Sequence, residues 1–167
     1  NGAGGTSNAT GTVGVTGDVS GFQSILVGRG FGSGSASGSL TASSLSTSGR
    51  LIVGDSEQNG VSQVEGTVTI LGGGLSADSL WAGRQWNTNI AKTVAGTVNV
   101  DGGITLDHLN SETISYIGAN TGAVAGETTG IVTVTNGGLV NQSGLGGLYI
   151  GWNGAGGTSN ATGTVGV

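Results

Sequence analysis

The chain has 167 residues with 38 Gly and no Pro, Cys or Met, and nine acidic against four basic residues give a net charge of −5 at pH 7. Collagen is excluded because Gly is not at every third position, and a disulfide framework is excluded because Cys is absent. Binding to nucleic acid requires clustered cations, whereas Arg29, Arg50, Arg84 and Lys92 are scattered along the sequence.

The chain opens with "NGAGGTSNATGTVGV" at 1–15, and the same fifteen residues return unchanged at 153–167, an offset of 152. Such a copy arises by duplication, so the sequence is expected to be one continuous segment, 1–167, cut from a longer tandem array. No signal peptide opens it, and with a start on Asn within a loop-like stretch the protein's own N-terminus is expected elsewhere. The 152-residue unit is itself periodic. A Gly followed by alternating apolar residues starts at "GTVGV" 11–15, "GSLTA" 38–42, "GTVTI" 66–70, "GTVNV" 96–100, "GIVTV" 130–134 and again "GTVGV" 163–167. Coils are therefore expected to begin near 11, 38, 66, 96, 130 and 163, five to each large unit.

Alternation with period 2 is the signature of strands. It places Val13/Val15, Leu40/Ala42, Val68/Ile70, Val98/Val100 and Val132/Val134 on one inner face. Gly14, Thr41, Thr69, Asn99 and Thr133 face outward between them. Gly-rich turns follow, such as "GGG" 72–74, "DGG" 101–103 and "NGG" 136–138, where positive φ is needed. A second short strand is expected to start at Val19, Leu45, Leu75, Ile104 and Leu139. Each unit then carries a second signature ending in Gly: "ILVG" 25–28, "LIVG" 51–54, "LWAG" 80–83, "SYIG" 115–118 and "LYIG" 148–151. No window has helical periodicity, and Gly and β-branched residues oppose helix throughout. The spaced Val, Ile and Leu clusters, with a mean hydropathy of +0.15, also oppose disorder. A unit of about 30 residues buries its apolar face only by stacking on its neighbours. The fold expected is all-β, a parallel β-helix (β-solenoid) of right-handed sense.

"GTVTI…GGGLSADSLWAG" and "GIVTVTNGGLVNQSGLGGLYIG" resemble the autotransporter-associated β-strand repeats of bacterial surface and secreted proteins. The likeness covers essentially the whole chain. It implies an exported, extracellular or cell-surface β-solenoid stalk or adhesin and carries over no catalytic residue.

Chemistry-bearing groups are few. His108, flanked by Asp107 with Ser111 nearby, would need a third converging group to act on a nucleophile, so it reads as a loop histidine. Asp55 and Glu57 in "GDSEQNG" lack the nonapeptide context of calcium-binding β-rolls and read as a solvated loop. The acids show no paired spacing suited to glycoside hydrolysis, and "VGRGFGSGSASG" lacks the Lys and helix of a phosphate loop. "NAT" 8–10, "NQS" 141–143 and "NAT" 160–162 fit the glycosylation pattern, at a frequency chance supplies in such a chain. Neither catalysis nor a cofactor nor a metal is expected. No run approaches the roughly 18 apolar residues of a membrane-spanning helix, so the segment is not expected to span a membrane in that form.

One pattern exceeds the background. In the second signature the residues between the inner positions are Leu26, Ile52, Trp81, Tyr116 and Tyr149. They predict an outward apolar column along the rod, flanked by Trp86 and Trp152. It reads either as a lateral contact, with a neighbouring solenoid or the chain's own loops, or, in a register shifted by one, as part of a wider core. Ser115 stands where the other units place Ile or Leu inside. Loops such as "RQWNTNIAKTVA" 84–95 are the expected places for partner contacts. The function expected is a structural repeat of an extracellular fibre or stalk whose partner is the protein itself, end to end and laterally. The alternative is an adhesin or carbohydrate-binding passenger contacting cell-surface polysaccharide. A polysaccharide-degrading enzyme is disfavoured by the lack of a charged cleft.

Overall fold

The structure, a computed structural model, describes residues 8–30, 34–56, 63–86, 93–110, 112–121, 126–154 and 160–167. Glu57, Ser111, Lys92 and loop positions 87–92, singled out above, lie outside the described residues. The described residues form sixteen strands and no helix. Each full coil contributes three. They are β1 (Ala9–Gly14), β2 (Asp18–Phe22) and β3 (Ile25–Gly30) in the first; β4 (Ala36–Ala42), β5 (Ser44–Thr47) and β6 (Arg50–Ser56) in the second; and β7 (Gln63–Leu71), β8 (Leu75–Ala77) and β9 (Ser79–Gln85) in the third. The fourth has β10 (Thr93–Asp101), β11 (Ile104–Leu106) and β12 (Ile114–Asn120), and the fifth β13 (Glu127–Thr135), β14 (Leu139–Asn141) and β15 (Gly147–Asn153). Strand β16 (Asn160–Gly166) adds a further first strand.

Stacking sorts these into three parallel sheets: a first of β1-β4-β7-β10-β13-β16, a second of β2-β5-β8-β11-β14 and a third of β3-β6-β9-β12-β15. The protein is thus an all-β parallel solenoid. Register follows the repeated letters: Gly11, Gly38, Gly66, Gly96, Gly130 and Gly163 pair in one unbroken row. Parallel ladders demand equal alternation in every coil, because a slip of one residue turns the whole inner row outward.

The inner rows form one apolar column. Leu40, Val68, Val98 and Val132 from the first sheet meet Leu45, Leu75 and Ile104 from the second and Leu51, Val53, Leu80 and Ile117 from the third. Each fully buried side chain of this kind contributes roughly 1.5–3 kcal/mol. At the turn into the second sheet Gly72 and Gly102 hold φ of 95° and 135°, and in the fifth coil Asn136 takes that place with φ 58°. Asn tolerates the left-handed region because its short side chain bonds locally, and its Nδ2 donates to the Asp101 carboxylate at 2.7 Å. At the open ends of the stack the same rows are uncovered, so Val13 at one end and Leu148 and Ile150 at the other are exposed.

The glycines at the end of the second signature have a separate cause. Gly28, Gly54, Gly83, Gly118 and Gly151 all take φ between 63° and 65°. Here the third sheet crosses the first backbone on backbone. A Cβ on Gly66 would strike Gly54 N and Val27 O, and one on Gly54 would strike Ala95 O. The pattern repeats at Gly96 with Gly83 N and Val53 O, and at Gly130 with Gly118 N and Ala82 O. Each third-sheet strand therefore lies between the first-sheet strands of the next two coils: β3 touches β4 and β7, and β6 touches β7 and β10.

Gly11 occupies the same row but has nothing within 4 Å of its would-be Cβ, since among the described residues no third-sheet strand precedes it in the stack. Gly96→Ala is therefore expected to cost about 4 kcal/mol or more, or to prevent folding, while Gly11→Ala stays within about 0.5 kcal/mol of the parent in chemical denaturation. Equal effects at both positions would remove the crossing as the cause.

Candidate functional site on the outer face of the third sheet

After each left-handed Gly the third-sheet strand continues for two residues, and these align as their own ladders. Arg29 pairs with Asp55, Asp55 with Arg84, Arg84 with Ala119, and Ala119 with Trp152. Asp55 is 0% exposed and lies between two guanidinium groups, with Arg84 Nε at 2.8 Å and Arg29 Nε at 3.3 Å. The solvated loop expected for Asp55 is thus replaced by a buried ion-paired carboxylate at the end of β6. A carboxylate at this depth persists only when paired and hydrogen-bonded.

The predicted outer column is aligned in the third sheet: Leu26 with Ile52, Ile52 with Trp81, Trp81 with Tyr116, and Tyr116 with Tyr149. Its exposure is not uniform. Leu26 and Tyr149, at the two ends of the stack, are 43% and 42% exposed, Tyr116 is half-buried, and Ile52 and Trp81 are only 5% and 9% exposed. An open apolar ridge is therefore not what the column presents at its centre. Arg84 folds back so that its guanidinium carbon lies 3.6 Å from the Trp81 ring centre, and that of Arg50 lies at 4.5 Å. Trp81 Nε1 donates to Ile114 O at 2.8 Å, which fixes the indole. Trp152 stacks 5.8 Å from Tyr116 and 5.5 Å from Tyr149, on the flank expected for it. Trp86 is 52% exposed, with the Arg84 guanidinium 4.8 Å from its ring. Burial raises the Tyr116 hydroxyl pKa above the usual tyrosine value, Arg84 opposes the rise and Tyr149 adds to it.

Three of the cations scattered in the sequence, Arg29, Arg50 and Arg84, come together here. Arg29 and Arg84 meet at Asp55, and Arg84 and Arg50 meet at Trp81. Beside them opens a cleft of about 480 Å³ lined by Arg50, Trp81, Arg84, Trp86, Tyr116 and Glu112, among others. Sequence reasoning missed this cluster because it counted distance along the chain; a separation of 29 residues between Arg84 and Asp55 is one coil.

His108 lies in the loop between β11 and β12, as expected, and is held inside it. It is buried, with φ 40°, and its partner is Ser115, Nε2 to Oγ at 2.9 Å. Its Nδ1 faces Leu145 O at 3.2 Å. A carbonyl only accepts, so Nδ1 carries the proton and Nε2 accepts from Ser115 Oγ, which in turn accepts from Leu80 N at 3.0 Å. The pair resembles a base and nucleophile, but both side chains are sealed from substrate; it fills the inner row where Ser115 replaces Ile or Leu.

No family model, curated protein or solved structure matches this chain.

Two substitutions test these buried groups by denaturant titration. Asp55→Ala, which leaves two guanidinium groups against a void, is expected to cost about 3–5 kcal/mol. Ser115→Ala strands the Leu80 N–H and the His108 ring nitrogen and is expected to cost about 1–3 kcal/mol. A neutral Ser115→Ala would mean that solvent reaches the pair.

Proposed function

We propose that the chain is a non-enzymatic structural repeat of an extracellular bacterial fibre or surface stalk, extended by coil-on-coil stacking. One observation carries this reading. The segment 161–166 repeats 9–14 letter for letter, and β16 lies in the same sheet as β1, five ladder steps along. Gly163 already sits on the crossing, against Gly151 N and Ile117 O. A following unit thus starts in register, with Val19 due above Leu139, Ile25 above Leu148 and Leu26 above Tyr149. On this reading the exposure of Leu26 and Tyr149 belongs to open ends, and the outer column serves the stack more than a lateral contact. The likeness to autotransporter-associated repeats supports export to the cell surface.

Five steps of about 4.8 Å give an axial repeat of about 24 Å. Fibre diffraction from aligned material is expected to show both spacings on the meridian. Discrete rods without the longer repeat would favour an adhesin passenger instead. Ile150→Lys places a charge on the exposed end row, and is expected to leave strand content unchanged while abolishing end-to-end association in sedimentation velocity. Undiminished association would remove stacking as its mechanism.

A further inference from the structure

The cleft beside Trp81 is lined by two of the chain's basic residues, Arg50 and Arg84. Asp55 pairs with both Arg84 and Arg29, and Glu112 lines the same cleft as Arg50. Arg84, 2% exposed and held by Asp55, is a fixed source of potential under the Trp81 ring, while the exposed Arg50 is the guanidinium a ligand can reach.

Aromatic side chains supply the second half of the argument. Trp86 presents its ring to solvent, and Tyr116 lines the cleft wall. Asn110 and Thr113 add amide and hydroxyl groups to the same lining. A volume of about 480 Å³ falls within the roughly 300–1,000 Å³ typical of small-ligand sites. Aromatic faces pack on the C–H face of a sugar ring, amides and hydroxyls meet its hydroxyls, and a planar guanidinium matches a carboxylate or sulfate through paired hydrogen bonds.

We infer that this cleft binds an anionic sugar unit of an acidic polysaccharide, with Arg50 taking the carboxylate or sulfate and Trp86 the ring face. In a tandem array one cleft recurs every 152 residues, so a long acidic glycan meets several sites on one rod and gains avidity from them. The inference does not depend on the fibre reading, since a single unit contains every residue it uses.

The test is calorimetric titration of the full chain with trigalacturonate, with its methyl-esterified form and with a sulfated galactan trimer, in low salt. Saturable binding of either anionic trimer, at least roughly tenfold tighter than the esterified one, is expected. Arg50→Gln and Trp86→Ala are each expected to weaken it roughly tenfold. Both side chains are exposed, so each variant should keep its strand content, with Arg50→Gln lowering the denaturation midpoint slightly through loss of the stack on Trp81. Three results would overturn the inference: no saturation by either anionic trimer up to about 10 mM, equal binding of the esterified trimer, or full binding by both variants. Loss of self-association in Arg50→Gln without any glycan binding would assign the cleft to an acidic side chain of a second copy, and would equally overturn it.

Discussion

Everything in this solenoid depends on the contact of two backbones with no side chain between them. Where the third sheet crosses the first, one glycine offers its amide nitrogen and another its α-carbon, and the carbonyl of a lower coil closes the gap. That approach sets the angle between the two sheets. It divides the cross-section into an apolar column on one side and a polar compartment on the other. Val64 and Val94 line the second compartment as a small cluster separate from the main core, together with the buried Ser56, Gln85, Asn120 and Thr128. Glycine has two duties in the seam: it permits φ near 64° in the third sheet and leaves room for a neighbour in the first.

The main column was legible in the sequence because it follows one rule, alternation under a parallel ladder. Leu40, Val68, Val98 and Val132 fall where the repeated letters place them. The short second-sheet strands were legible for the same reason, with Leu75, Ile104 and Leu139 each opening one. The polar compartment was not. After the left-handed Gly the chain no longer alternates about the same axis, so Asp55 and Arg84 read as loop residues although both are buried. A charge at one fixed place after the signature Gly in three successive coils, Arg29, Asp55 and Arg84, was the available signal. It becomes visible only when coils are aligned on that Gly.

The outer column shows the same limit from another direction. Its members were identified and their mutual alignment follows from register, yet exposure depends on what folds back over them. Trp81 is covered by guanidinium groups from its own and a neighbouring coil. Arginine is suited to this, since its flat, weakly hydrated head stacks on an indole while still pairing with a carboxylate. His108 and Ser115 illustrate a local trade in the inner row: a hydroxyl and an imidazole take the place of one branched side chain, and each polar atom finds a partner.

The offset by which each third-sheet strand rests between the first-sheet strands of the next two coils makes the rod a vector. Its two tips are chemically unlike. At one tip the first-sheet glycine Gly11 lies open, and at the other the left-handed Gly151 meets only β16, at Gly163 N and Ala161 O, 3.4 and 3.6 Å from its would-be Cβ. A coil arriving at the first tip must bring a third-sheet strand to lay over what is there; one arriving at the second must bring a first-sheet strand to slide beneath. If coils stack as proposed, addition at the two ends of this segment would proceed by different steps, and a filament built this way would carry a direction that its smooth column of valines alone would not confer.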